Sequence, residues 1–409
     1  MHQRWVIVTV AVVLVAAGVL YWLYRPTAPL SDRAVLSKAA FSDLQGWQTS
    51  DLQPSFLAFR RSCDRFARLP VDRSLGSDGI AGRVADWRLV CELWGAVEAT
   101  NSASVRRYFE RWFIPVAIAN NDQTSGLFTG YYEPELRGSR QKKGRFDIPI
   151  YARPKDLVMV ELGRFRKQLR GQRIAGRVVD GRLQPFETRA AIEAGALADR
   201  GLELLWVDDA IEAFFLHIQG SGRVVLDNGE VERVGYAGQN GHAYFAIGRE
   251  LIARGALDRD NVSLQTIRAW LTANPEEARA VMNKNASFVF FQRVKGDGPI
   301  GAFQVALTPS ASLAIDRRFV PLGVPVWLET LIPEANGEKV ENPVPWRGLL
   351  VAQDTGGAIR GVVRGDIFFG AGSRAEAIAG RLKSPGRYFI LLPRTVVDRG
   401  DPWPELQAD

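Results

Sequence analysis

Residues 301–330 read GAFQVALTPSASLAIDRRFVPLGVPVWLET, and after a polar loop residues 348–372 read GLLVAQDTGGAIRGVVRGDIFFGAG. Alternating or continuous apolar runs, broken by Gly and Pro, are the pattern of short strands. Leu349 to Gln353 is expected to be a buried strand, Gly356-Gly357 a tight turn, and Ile359 to Val363 the next strand. Three aspartates, Asp316, Asp354 and Asp366, stand in strongly apolar surroundings at what would be strand ends, where a barrel opens to solvent. Carboxylates are seldom buried unless something holds or uses them. Taken singly, each also suits a turn aspartate that accepts from nearby backbone N–H groups. Asp366 resists that reading, because Ile367, Phe368 and Phe369 follow at once. An apolar wall raises a carboxyl pKa by desolvation and keeps the acid protonated, as a general acid must be.

Strand patterns extend upstream. LFTGYYEPEL alternates, and Asp180-Gly181 and Asn228-Gly229 are hairpin turns between apolar runs, GRVVLDNGEVERVGY being the clearest. Leu202 to Val207 and Ile211 to Ile218 are expected to supply further strands, making an all-β unit from Glu133 to about Asn240. Lys155 to Arg173 has no decisive pattern. Helical spacing fits four segments within Leu44–Thr100 and Ser102–Pro115, and returns after Gly241 in HAYFAIGRELIARG and SLQTIRAWLTA. Asn274-Pro275-Glu276-Glu277 opens a third helix there, and Ser287 to Gln292 returns to strand. Pro26 to Ala40 reads as a spacer and the tail after Arg394 as loosely ordered. No internal repeat or low-complexity tract is evident.

At 409 residues the chain has room for two or three domains, with 46% hydrophobic and 24% charged residues, ordinary for a globular protein. The net charge of +7 is spread along the chain, which favours anionic partners. No nucleic-acid motif accompanies it, so no nucleic-acid partner is expected. The only histidines are His2, His217 and His242, and no ligand cluster is visible; neither a metal nor a cofactor is expected. Trp5 to Tyr24 is an uncharged apolar run long enough to cross a bilayer, with Trp and Tyr at its far edge. Ala16-Ala17-Gly18 would also suit signal cleavage, but length and the aromatic ending favour a retained anchor.

The ordered set of motifs resembles a known family. Ala314-Ile315-Asp316, Pro321-Leu322-Gly323, Asp354-Thr355-Gly356-Gly357-Ala358-Ile359, Gly361 and Asp366-Ile367-Phe368 are similar to the three-aspartate domain of membrane-bound lytic murein transglycosylases A. Gly130-Tyr131-Tyr132-Glu133-Pro134, His217-Ile218-Gln219-Gly220-Ser221-Gly222, Tyr236 to Tyr244 and Ser287 to Phe291 extend the match over roughly Phe128 to Arg394. The resemblance implies a mainly β fold with flanking helices: a double-psi β-barrel domain with a second, smaller β-barrel domain inserted. Residues 1–28 would be the anchor, 29–132 and 241–409 the main domain with the three-aspartate region at 301–394, and 133–240 the insert. Glycan would lie in the groove between the barrels. The chain departs from lipoprotein members: Val19 follows Leu14-Val15-Ala16-Ala17-Gly18 where a lipobox needs Cys. A helix anchored in the inner membrane, with the body on the periplasmic face of a Gram-negative cell, is expected in place of the lipid. Cys63 and Cys91 each fall on the apolar face of a helical pattern; in an exported protein a disulfide is expected, with two buried free thiols as the alternative.

The activity implied is cleavage of the β-1,4 bond between N-acetylmuramic acid and N-acetylglucosamine in peptidoglycan without water. The C6 hydroxyl of the muramic acid attacks its own anomeric carbon, so one carboxyl group serves first as acid and then as base. By motif position Asp366 is the catalytic candidate, with Asp354 and Asp316 as supports and Gly356 and Gly357 allowing close approach of glycan. Candidate sugar contacts are Tyr132, Gln219, Ser221, Tyr236, Asn240 and His242, since aromatic faces stack on pyranoses and amides or hydroxyls satisfy sugar hydroxyls. His242 also suits a structural histidine, His217 reads as a half-buried strand residue, and Phe288, Phe290 and Phe291 read as core. Asp354-Thr355-Gly356 alone would suit an aspartic protease, but that chemistry needs two such loops. Two further functions fit the same residues: a two-carboxylate hydrolase with Asp354 or Glu133 as base, and a glycan-gripping module without catalysis.

Overall fold

The computed structural model describes residues 31–400, 403, 406 and 407, without 170, 171, 297, 337 and 338. The apolar run Trp5–Tyr24 lies outside the described residues; among those described, no helix is long and apolar enough to cross a membrane.

Strand β1 (Arg33–Lys38) leads to helices α1 (Gln53–Phe66), α2 (Val84–Glu92) and α3 (Ser102–Trp112). Strands β2 (Phe113–Asn120) and β3 (Gly126–Glu133) follow. The chain then builds β4 (Glu135–Ser139), β5 (Ile148–Tyr151), β6 (Val158–Glu161), β7 (Arg173–Val179), β8 (Arg182–Pro185) and β9 (Glu203–Val207). Helix α4 (Ala210–Gln219) precedes the hairpin β10 (Ser221–Leu226) and β11 (Val231–Gln239). Helices α5 (Ile247–Ala253), α6 (Leu264–Ala273) and α7 (Pro275–Met282) run up to β12 (Val289–Val294). The last quarter holds β13 (Ser312–Ile315), β14 (Pro325–Asn336), β15 (Lys339–Asp354) and β16 (Arg364–Ala371). Helix α8 (Ser373–Ala379), β17 (Lys383–Pro393) and β18 (Leu406–Gln407) complete it.

Six strands close on themselves in the order β14-β15-β13-β16-β3-β17, with β17 pairing back to β14. β13 is parallel to β15 and β16 to β3, while the other pairs are antiparallel. β2, β1 and β18 continue the sheet from β17. A second six-stranded sheet, β12-β11-β10-β4-β9-β5, curls round until Ala152, just past β5, bridges Phe291 on β12. The chain passes from one barrel to the other through Pro134 alone, between β3 and β4. β12 comes from outside residues 133–240, so the second barrel needs a strand supplied after the helices. A separate three-stranded meander, β6-β7-β8, turns at Asp180-Gly181 as its Asp-Gly signal predicts.

α1, α2 and α3 pack on the first barrel and share its core, where Trp47, Phe56, Phe59, Trp87 and Phe109 are almost fully buried with Trp327. Cys63 and Cys91 are joined, their Cα atoms 5.4 Å apart across 28 residues. Closing a loop of that length stabilises a fold by about 3 kcal/mol in the chain-entropy account.

Four elements differ from expectation. Ile211 to Ile218 is helix, not strand. Asp209 Oδ1 caps it through Ile211 N (2.8 Å) and Glu212 N (3.1 Å), and Gly220 ends it at φ 77°. A short apolar run has no period that separates buried strand from buried helix, so these caps were the only local signal. Ile359 to Val363 is loop, because Gly361 turns at φ 116°, and the strand begins at Arg364. The spacer contains β1, paired with β2 and with β18 from the tail. The helix expected to reach Pro115 stops at Trp112, where Ile114, Val116 and Ile118 begin a buried strand.

Candidate active site

The barrel register brings the acidic motifs together. Asp366 is the third residue of β16, opposite Thr129 on parallel β3 and Ala314 on antiparallel β13. Asp354 ends β15, and Asp316 follows β13 directly. All three therefore stand at one mouth of the barrel, yet their surroundings divide them sharply.

Asp316 is buried and fully engaged. Arg318 grips it with Nε at 3.1 and 3.0 Å from its two oxygens and Nη2 at 2.6 Å from Oδ2, and Gly361 N–H adds a bond of 3.0 Å. It clasps the loop after Asp354 to the end of β13. Asp354 accepts at Oδ1 from Ala302 N and Thr355 N, both 2.9 Å, and at Oδ2 from the Tyr131 hydroxyl at 2.9 Å. Burial raises its pKa; these three donors oppose that, and the charge of Asp366 adds to it. Beneath it, Gln353 Nε2 donates to Ala58 O (2.8 Å) and Ser62 Oγ (2.9 Å) of α1, while Ser312 donates to its Oε1 (2.7 Å). This buried network fixes the end of β15 against the helical layer.

Asp366 is half-buried and accepts one hydrogen bond, from Thr129 Oγ1 to Oδ1 at 2.6 Å. Arg364 Nη2 donates to that same hydroxyl at 2.8 Å, so the Thr129 proton must point at the carboxyl group. Among the described residues Oδ2 has no hydrogen-bond partner. Burial raises the Asp366 pKa, with Arg364 and Thr129 partly opposing the rise. The half-exposed Tyr244 lies close enough to Asp366 for that charge to push its hydroxyl pKa up, after burial as the larger cause. Gly130 leaves room for this packing: a Cβ there would stand 2.7 Å from Phe369 and 2.9 Å from the α8 backbone at Ala379.

The remaining candidates scatter. Tyr132 is buried, with its N–H donating to Gln219 Oε1 at 3.1 Å and its hydroxyl 3.4 Å from Arg268. Gln219 thereby holds β3 to the end of α4. Ser221 is buried at the start of β10, away from an open face. Asn240 requires correction. Its Nδ2 donates to Glu187 O (2.8 Å) and Ala286 O (2.9 Å), and its Oδ1 accepts from Phe288 N (2.9 Å), so it clamps backbone with no group left for sugar. His242 Nε2 lies 2.7 Å from Phe186 O, a structural role. His217 is on helix α4, not a strand; it is buried, its ring 4.2 Å from that of Phe288, and burial holds its pKa well below the histidine range. Tyr236 is exposed on β11, and Gly357 faces open space on the loop after Asp354, so both are accessible to a ligand. Gly356 has Ile359 2.9 Å from where a Cβ would stand. No group of three or more potential metal ligands occurs among the described residues.

Sequence reasoning missed Thr129, Arg364 and Tyr244. Arg364 and Asp366 are two apart on a strand and so share a face, a signal that was present in the sequence. Thr129 is brought to Asp366 only by the β3–β16 register.

The family profile MltA specific insert domain matches residues 127–292, and the 3D domain profile residues 311–392. The crystal structure of a membrane-bound lytic murein transglycosylase from Agrobacterium tumefaciens is 32% identical, with a TM-score of 0.79, covering 90% of this chain and 99% of that one. The chain belongs to the membrane-bound lytic murein transglycosylase A family. The Vibrio cholerae member is 34% identical over 276 residues, 66% of this chain and 66% of that relative's length. Escherichia coli MltA, solved with bound chitohexaose, is 25% identical at a TM-score of 0.63, covering 88% of this chain and 94% of that one. The mainly β, two-barrel architecture is thus the family's fold.

Proposed function

We propose that this chain is a peptidoglycan lytic transglycosylase in which Asp366 is the single acid and base. The observation that carries the reading is the inequality of the three aspartates. Asp316 is clasped by Arg318, and both oxygens of Asp354 accept from protein, whereas Asp366 keeps one oxygen free at a half-buried rim. Glu133, the alternative base, is buried beside Arg233 at 3.3 Å and lies four residues from Thr129, roughly 13 Å along β3. A hydrolase needs a second carboxylate poised over a water; a transglycosylase does not.

In the first step the Asp366 proton passes to the glycosidic oxygen as the C1–O bond breaks. The developing oxocarbenium centre is captured by the C6 hydroxyl of the same sugar, whose proton returns to the Asp366 carboxylate. Atoms balance without water, and the carboxyl group ends as it began. Thr129 orients it, and Tyr131 with Asp354 forms the adjacent polar wall. An apolar N-terminal run and the membrane-bound designation of the relatives support anchorage, with the body on the periplasmic side of the membrane.

Mass spectrometry of fragments released from purified murein tests the assignment. Muropeptides about 18 mass units lighter than hydrolytic products are expected, the mark of intramolecular attack. Reducing ends instead would overturn it in favour of hydrolysis. Binding without release would leave a glycan-gripping module.

A further inference from the structure

Among the described residues, Arg153 beside the second barrel, Arg173 on the meander, and Arg317 and Arg360 on the first barrel form no ion pair. Arg317 follows Asp316, and Arg360 precedes Gly361, whose N–H bonds Asp316 at 3.0 Å; that bond sets the two arginines near each other. Arg173 opens β7 and is close enough to Arg317 that, after burial, it and Arg360 depress the Arg317 pKa, against Glu161 and Asp316. Arg173 and Arg153 also act on Tyr236, the exposed tyrosine of β11, and Arg153 packs 3.2 Å from the Cβ position of Gly238. A cavity of about 440 Å³ opens beside Arg153, walled by Leu204, Ala237, Phe291, Gln292 and the Glu232-paired Arg293; Tyr236, Arg173, Arg317 and Arg360 lie outside its wall.

Several other arginines of the second barrel and meander are matched. Arg140 pairs with Glu230 and Glu232, Arg177 with Glu187, and Arg200 with Asp156. Among the described residues, Arg173, Arg317 and Arg360 have no carboxylate within ion-pair distance. Asp316 is held by Arg318, while Glu161 stands opposite Arg173 in the β6–β7 pair, beyond ion-pair distance of it, and lies 3.7 Å from Arg164. Arg173 and Arg360 are exposed and Arg317 is half-buried. Like charges held together repel, and a bound anion relieves the repulsion. The loop carrying Arg360 is the one that leaves Asp354, so the cluster and the catalytic mouth share an element.

We propose that Arg173, Arg317 and Arg360, with Tyr236 and Arg153 at one end, form a carboxylate-binding subsite that selects acidic murein strands over neutral glycan. The proposal rests on the murein reading above and names the feature of the strand that this chain grips. Murein offers carboxylates from two sources, the stem peptides and, where peptides are removed, the lactyl group of muramic acid. Tyr236 would meet a sugar face while the guanidiniums meet the acid.

The test is direct binding to the full chain in detergent, in an Asp366→Asn background so that no probe is cleaved. Three probes are titrated: chitohexaose, which has no carboxylate; a peptide-stripped murein oligosaccharide; and the same oligosaccharide with its stem peptides. Acidic probes are expected to bind about ten-fold tighter than chitohexaose, and to lose that margin in high salt. Arg173→Gln with Arg360→Gln, both at exposed positions, should erase the margin. A margin present with the stripped probe assigns the lactyl group; one present only with peptides assigns the stem. Equal affinity for all three probes in the parent, or a margin that survives in the double variant, would overturn the proposal. If the active chain releases no anhydro product while the margin behaves as expected, the transglycosylase reading falls and the subsite stands.

Discussion

Asp366 combines two costs that the surrounding fold accepts: a carboxyl group in a poorly solvated rim, and one oxygen left without a protein partner. Asp366→Asn keeps the shape and removes the proton donor, so cleavage should fall by about 10²–10⁴-fold. The same change should raise the Tm at neutral pH. The folded pKa of Asp366 lies above its unfolded value, so the native state binds the extra proton and ionisation opposes folding. That penalty is present in full above the folded pKa and vanishes below the unfolded value of about 3.9. Melting curves of parent and variant should therefore separate at pH 7 and converge below about pH 4. Thr129 is a positioning residue with its own signature. Thr129→Val removes a hydrogen bond that favours the charged carboxylate, so the Asp366 pKa rises further. The alkaline fall of kcat/KM should move to higher pH while the plateau drops about ten-fold. A lower plateau with an unmoved limb would mean that Thr129 acts only by packing.

At the scale of the element, the loop between β15 and β16 is held by one buried carboxylate. Asp316→Asn would leave Arg318 without its counter-charge and weaken the bond to Gly361, an uncompensated partner of a buried pair. A loss of about 3 kcal/mol is expected, read as a lower Tm, with faster amide exchange at Gly361. Asp316→Asn should be unstable rather than specifically inactive, in contrast to Asp366→Asn. The apolar run after Asp366 set it apart in sequence, but the grip of Arg318 on Asp316 and the three donors on Asp354 were not legible there. The strands around them were legible, because Gly and Pro breaks and Asp-Gly or Asn-Gly turns are local signals. Helix α4 was not, since its buried Phe214, Phe215 and Leu216 form a run without period. Asn240 has the look of a sugar ligand beside Tyr236, but its amide answers backbone at Glu187 and Ala286, far away in sequence. Side-chain-to-backbone clamps of this kind depend on register between distant segments, which composition and spacing do not encode.

At the scale of the whole molecule, the two barrels meet around Arg268. Standing on α6, it reaches Glu212 of α4 at 2.8 Å, Glu376 of α8, and the hydroxyl of Tyr132 near the end of β3 at 3.4 Å. α4 packs with the second barrel and α8 with the first, so one guanidinium ties the two barrels together. Glu212 already has a raised pKa from burial, with Glu376 adding to the rise and Arg268 opposing it. Arg268→Ala would leave two half-buried carboxylates facing each other across the junction, at a cost of about 2 kcal/mol. Because Asp366, Thr129 and Asp354 all belong to the first barrel, their mutual geometry should survive. The expected outcome is a several-fold rise in KM for murein with kcat little changed, from two barrels less well fixed to each other. Arg268→Lys should restore little, since an ammonium cannot bridge two carboxylates with the geometry of a planar fork. Lowering the pH towards 5 should narrow the stability gap between Arg268→Ala and the parent, as the unpaired glutamates take up protons. A fall in kcat equal to that of Asp366→Asn would instead place Arg268 within the chemistry and require the groove to close on the catalytic acid.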